Sequence, residues 1–98
     1  MLVKVHESYR KIIEICDSEL LWQKFKEGNR QFEVFEPFFG GQKMSESGII
    51  ELMKDPMKDD ATFNLVGKKT IAAALKAKII EKEGIMEIND VPIALVLL

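Results

Sequence analysis

Ala61-Thr62-Phe63-Asn64-Leu65-Val66-Gly67-Lys68-Lys69-Thr70 is the stretch on which the fold turns. Phe63, Leu65 and Val66 give a buried strand from Thr62 to Val66, and Gly67 ends it. A helix is predicted from about Lys68 to Lys78, with Ile71, Ala72, Leu75 and Ile79 along one side. Its alanine run, Ala72-Ala73-Ala74, favours helix and permits close approach to a sheet. Such a junction leaves backbone amides unpaired at the helix start, where the helix dipole also attracts anions. Two readings follow. Either Gly67 makes a tight turn with Lys68, Lys69 and Thr70 in water, or an anion sits at Asn64, Gly67, Lys68 and Lys69. A phosphate loop of the G-x-x-x-x-G-K-[ST] type does not fit, because Thr62 stands where a glycine is needed and Lys69 where a serine or threonine is needed.

Outward from this junction, Leu2 to Glu7 and Ile12 to Cys16 read as strands of a hairpin, joined through Ser8-Tyr9-Arg10-Lys11. Asp17-Ser18-Glu19 offers a cap and an acidic first turn for a short helix carrying Leu20, Leu21 and Phe25, stopped at Gly28-Asn29. Phe32 and Val34 mark a third strand, ended by Pro37 and Gly40-Gly41. Ser45 or Ser47 caps a helix with Ile49, Ile50, Leu52 and Met53 at helical spacing, and Asp55-Pro56 interrupts it and can open a further turn. Beyond the central helix, Glu83-Gly84 is a stop, and Ile85 and Ile88 anchor a connector. The apolar tail from Val91 to Leu98 is a buried strand, too short to cross a membrane as a helix. The elements predict one α+β domain over residues 1–98, a mixed sheet of about five strands with about three helices packed on it.

The chain has 98 residues, 47% hydrophobic and 31% charged, enough for a core without staples. Fourteen basic against sixteen acidic side chains leave a net charge of -2, without the strongly positive field of a non-specific nucleic-acid binder. A single cysteine, Cys16, excludes an internal disulfide, and the lack of a signal peptide or long apolar span points to the cytoplasm.

Several segments, taken as an ordered set, resemble an archaeal group of small proteins, the domain of unknown function 424 family. They are Lys4-Val5-His6-Glu7-Ser8-Tyr9-Arg10, Ile15-Cys16-Asp17, Phe38-Phe39-Gly40-Gly41, Asp60-Ala61-Thr62-Phe63-Asn64-Leu65-Val66-Gly67 and Val91-Pro92-Ile93-Ala94. The resemblance covers nearly the whole chain and implies an archaeal, intracellular protein. It brings no established activity, cofactor or catalytic residue. Trp22-Gln23, Phe39 and Asp90 depart from the family's usual pattern.

Two function classes remain open. One is a non-enzymatic binding or adaptor module in a ribonucleoprotein or protein complex. It would act through Lys68, Lys69, Lys76, Lys78 and Lys82, whose charges could follow a phosphate backbone, and through the loop Phe38-Phe39-Gly40-Gly41. The other is a small enzyme or ligand sensor holding a phosphate-bearing small molecule at Asn64, Gly67, Lys68 and Lys69, approached by His6 and Tyr9. The first is preferred, because a reaction needs acid and base groups placed together and no such pair stands out. No catalytic residue or cofactor is assigned. His6 and Cys16 are too few for a metal site, although aligned strands would make them a thiol-imidazole pair. Asn64 in an apolar strand must find hydrogen-bond partners, from a loop or from a ligand. The apolar C-terminal strand would suit pairing in a homo-oligomer if it lay at a sheet edge.

Overall fold

The computed structural model describes residues 1–7, 11–35, 39–55 and 61–97. In chain order they form β1 (Leu2–Glu7), β2 (Lys11–Cys16), β3 (Lys24–Glu27), β4 (Arg30–Glu33), β5 (Gln42–Lys43), α1 (Glu46–Lys54), β6 (Thr62–Val66), α2 (Lys68–Lys76), β7 (Met86–Ile88) and β8 (Val91–Leu97). Short 3-10 turns lie at Ser18–Leu20 and Lys82–Gly84. Six strands make one mixed sheet in the order β5-β1-β2-β6-β8-β7, with β2 and β6 parallel and every other pairing antiparallel. The fold is α+β.

Alternation along the strands assigns the two faces. Val3, Ile13, Ile15, Phe63, Leu65, Ala94 and Val96 point toward the helices and form the main core with Ile49 and Met53 of α1 and Ile71, Ala73 and Ala74 of α2. Ile49 and Met53 stand four residues apart, so both fall on the buried stripe of α1. The Ser45 side chain starts that helix by accepting from the Gly48 amide at 3.3 Å. Phe63, Ile13 and Ile15 are fully buried, each stabilising the fold by roughly 1.5–3 kcal/mol relative to exposure.

Among the described residues, the second face is covered only at one end. There β3 and β4 form a separate hairpin, and Phe25, Val34 and Phe39 pack on Cys16, Val66 and Ile93. Two hydrogen bonds tie the hairpin to β7 and to the turn after it, Arg30 Nη1 donating to the Glu87 carbonyl at 3.4 Å and the Asn89 amide to Glu27 Oε1 at 2.6 Å.

The structure corrects three local expectations. The helix expected after Asp17 is a single 3-10 turn followed by β3, because Lys24 and Lys26 alternate with buried Phe25 and Trp22 adopts a φ of 71° that breaks helical continuity. Gly28-Asn29 is therefore a hairpin turn, with Gly28 at a φ of 59°. The connector at Ile85 and Ile88 contains β7, paired with β8 across Asn89-Asp90, both with positive φ. The C-terminal strand lies between β6 and β7, inside the sheet and not at its edge. The further turn expected at Asp55-Pro56 reaches outside the described residues. Among the described residues, six strands form the main sheet and two helices pack on it, close to the expected five or so strands and three or so helices.

Candidate functional site

At the end of β6, the chain turns through Gly67 at a φ of 113°, a backbone region that side chains other than hydrogen rarely adopt. A Cβ there would overlap the carboxylate of Asp17. Asp17 follows β2, the parallel neighbour of β6, and its own amide donates to the Val66 carbonyl at 3.1 Å. This places the carboxylate over the start of α2. Asp17 Oδ2 accepts from the Lys69 amide at 3.0 Å, and Oδ1 accepts from the Thr70 amide and the Thr70 hydroxyl, each at 2.8 Å. Asp17 and Thr70 are both buried. The chain's own carboxylate thus meets the amides and dipole that the junction presents to an anion. Thr70 faces Asp17 instead of water.

A different site lies on the half-covered face of the sheet. The strand register sets Lys4, Glu14, Asn64 and Leu95 in one row across β1, β2, β6 and β8. Next to it run His6, Ile12, Thr62 and Leu97. Where the first of these rows meets the hairpin, a pocket of about 590 Å³ opens. Its floor is formed by Glu14, Asn64, Ile93 and Leu95, and its walls by Phe32, Glu33, Phe39 and Met86. The Phe32 and Phe39 rings meet edge to face with centroids 6.1 Å apart. From Leu95, itself 61% exposed, the apolar surface continues beyond the pocket to Leu97, 70% exposed.

Glu14 is 7% exposed, a carboxylate set among Ile12, Ile13 and Ile15 of β2. Burial pushes its pKa above the ordinary value; the His6 charge, a side-chain hydrogen bond from Asn64 and the Lys4 charge pull it back only partly. His6 Nε2 lies 3.7 Å from Glu14 Oε1. Thus Asn64 and His6, both singled out in the sequence, converge on a residue that was not. The signal for Glu14 was available, since Ile12-Ile13-Glu14-Ile15 sets one charge inside an apolar run.

The other candidates are dispersed. Lys68 and Lys69 are exposed on α2, and Lys69 Nζ is 3.9 Å from Glu19. Lys76 pairs with Glu46 of α1 at 2.9 Å. Lys78 is exposed with a φ of 61°, and Lys82 lines a shallow depression with Glu27, Arg30 and Glu87. Phe39 is buried, Gly40 is half-buried, and at Gly41 a Cβ would overlap the Val3 carbonyl, so this loop is pressed onto β1. Tyr9 and Phe38 lie outside the described residues. His6 and Cys16 are not aligned, because β1 sets His6 opposite Ile12 and Cys16 opposite Leu2. Cys16 is fully buried, and burial followed by the Asp17 charge pushes its thiol up to about 11. Among the described residues no group of three His, Cys, Asp or Glu side chains could hold a metal ion, and no helix is long and apolar enough to cross a membrane.

Fold and site together define an α+β domain with helices on one sheet face and a carboxylate-floored recess on the other. A family model described as protein of unknown function (DUF424) matches residues 6–98, and the chain belongs to that family. The fold is shared with the crystal structure of an uncharacterized conserved protein from Methanopyrus kandleri. The TM-score is 0.83 at 20% identity, over 98% of this chain and 90% of that one. No curated protein matches the chain.

Proposed function

We propose that this protein is a non-enzymatic binding module that docks a partner protein on the half-covered sheet face. The observation that carries this reading is the recess of about 590 Å³ in which the nearly buried Glu14 shares the floor with Asn64, Ile93 and the exposed Leu95, with Leu97 beyond it. Such a surface combines an apolar contact area with a few polar groups that set orientation. Carboxylates at Glu14 and Glu33 oppose a phosphate backbone here, which favours a protein over RNA at this face. The ribonucleoprotein reading through Lys68 to Lys82 draws less support, since Lys69 and Lys76 already face Glu19 and Glu46. The alternative of an enzyme or sensor with an anion at Gly67 draws less still, because Asp17 engages the amides of Lys69 and Thr70.

Capture from a lysate with tagged protein, at low and moderate salt, tests the choice. A Leu95→Glu/Leu97→Glu variant should lose the bound partner, while a Lys68→Ala/Lys69→Ala variant should keep it. Loss of a defined RNA in the lysine variant alone would move the binding surface to α2 and overturn the proposal.

A further inference from the structure

We infer that the recess beside Glu14 receives the guanidinium group of an arginine side chain carried by the partner protein. This inference rests on the binding-module reading and names the chemistry of its central contact. The two ionisable side chains lining the recess are both carboxylates, Glu14 on the floor and Glu33 on the wall, the latter with the exposed Lys24 ammonium 3.9 Å away. His6 Nε2 approaches Glu14 to 3.7 Å from β1, while the Glu14 side chain also lines the recess together with Glu33; burial raises its pKa in spite of the His6 and Lys4 charges. An incoming cation with several N–H donors adds opposite charge and further hydrogen bonds to these carboxylates together. Guanidinium fits better than ammonium on two counts. It is planar and weakly hydrated, suited to the aromatic wall of Phe32 and Phe39, and its fork of donors can serve Glu14 and the Asn64 carbonyl oxygen at once. The exposed leucines beside the recess argue for a side chain on a protein, since a free small guanidine would leave them uncovered.

The test is an amide chemical-shift titration of the full chain with n-butylguanidinium, n-butylammonium, n-butanol and the peptide acetyl-Leu-Arg-Leu-amide. Saturable shifts should appear at Glu14, Asn64 and Leu95. The peptide should bind at least about tenfold tighter than n-butylguanidinium, and Glu14→Gln should weaken both by about tenfold or more. Glu33→Gln, at a more exposed position, should weaken them severalfold and provides a second reading if Glu14→Gln fails to fold. Equal binding of n-butanol would overturn the cation, and equal or tighter binding of n-butylammonium would overturn the guanidinium. A free guanidinium binding as tightly as the peptide would overturn the protein source. If no probe binds while Leu95→Glu/Leu97→Glu still abolishes partner capture, the arginine falls and the binding module stands; if capture is also unaffected, both fall.

Discussion

Asp17→Ala should be among the most destabilising single substitutions at the polar positions of this chain. The wild-type carboxylate accepts three hydrogen bonds at 2.8–3.0 Å, two from the first-turn amides of α2 and one from the Thr70 hydroxyl. Hydrogen bonds to a charged group contribute roughly 1.5–3 kcal/mol each, but three sharing one carboxylate do not add, and loss of a cap residue typically costs about 0.5–2 kcal/mol. The Thr70 hydroxyl is fully buried, so its lost partner adds a desolvation cost of roughly 1–3 kcal/mol. A net loss of about 3 kcal/mol is expected, which for a domain near 100 residues lowers Tm by roughly 10–25 °C. Differential scanning calorimetry of wild type and variant measures it directly. Asp17→Asn keeps one acceptor and should fall between the two, while Lys69→Ala, which removes only an exposed pair, should leave Tm within a few degrees. A fall of less than about 4 °C for Asp17→Ala would show that this carboxylate does not anchor α2 to β2.

Gly67→Ala should destabilise by about 2 kcal/mol or more, read from urea midpoints, because the φ of 113° disfavours any side chain and the new Cβ meets the Asp17 carboxylate. Cys16 should resist thiol reagents at pH 8 in the folded protein and react only on unfolding, since its thiol is buried and pushed up to about 11; rapid labelling without unfolding would contradict its placement. Burial raises the Glu14 pKa above the ordinary 4.5, so between 4.5 and the folded value the folded chain holds more proton here than the unfolded one, and stability from this position declines as pH rises through that window. Glu14→Gln should therefore gain on the wild type in urea-measured stability from pH 4 to pH 7, and His6→Gln, which removes a charge holding that pKa down, should widen the window.

Local chemistry made β1, β2, β6, β8 and both described helices legible in the sequence, because Ile49/Met53 and Phe63/Leu65 repeat at helical and strand periods, whereas the short β5 and β7 carry no such pattern. What failed to read was non-local. Asp17 looks like the cap of the segment that follows it, and a cap it is, but for a helix whose Thr70 amide lies 53 residues further on. Nothing in the local pattern around Asp17 shows that β2 and β6 run side by side. The segment from Leu20 to Phe25 offers too few apolar positions to choose between helix and strand, and packing of Phe25 against the sheet decides it. The candidate site was half legible. Asn64 stands out as a polar residue in an apolar strand and His6 as the chain's single histidine, whereas Glu14 gains its meaning from the register that sets it between Lys4 and Asn64. Leu95 and Leu97 look like core in a tail of apolar residues, and only the partial cover of the hairpin leaves them in solvent.

The most direct test of the central claim is a map of amide chemical shifts on the isotopically labelled chain as its captured partner is added. Perturbations should concentrate on Glu14, Asn64, Leu95 and Met86, around the recess. Perturbations confined to Lys68, Lys69, Lys76 and Lys78 on and just after α2, with the recess unmoved, would contradict the assignment of the sheet face as the binding surface.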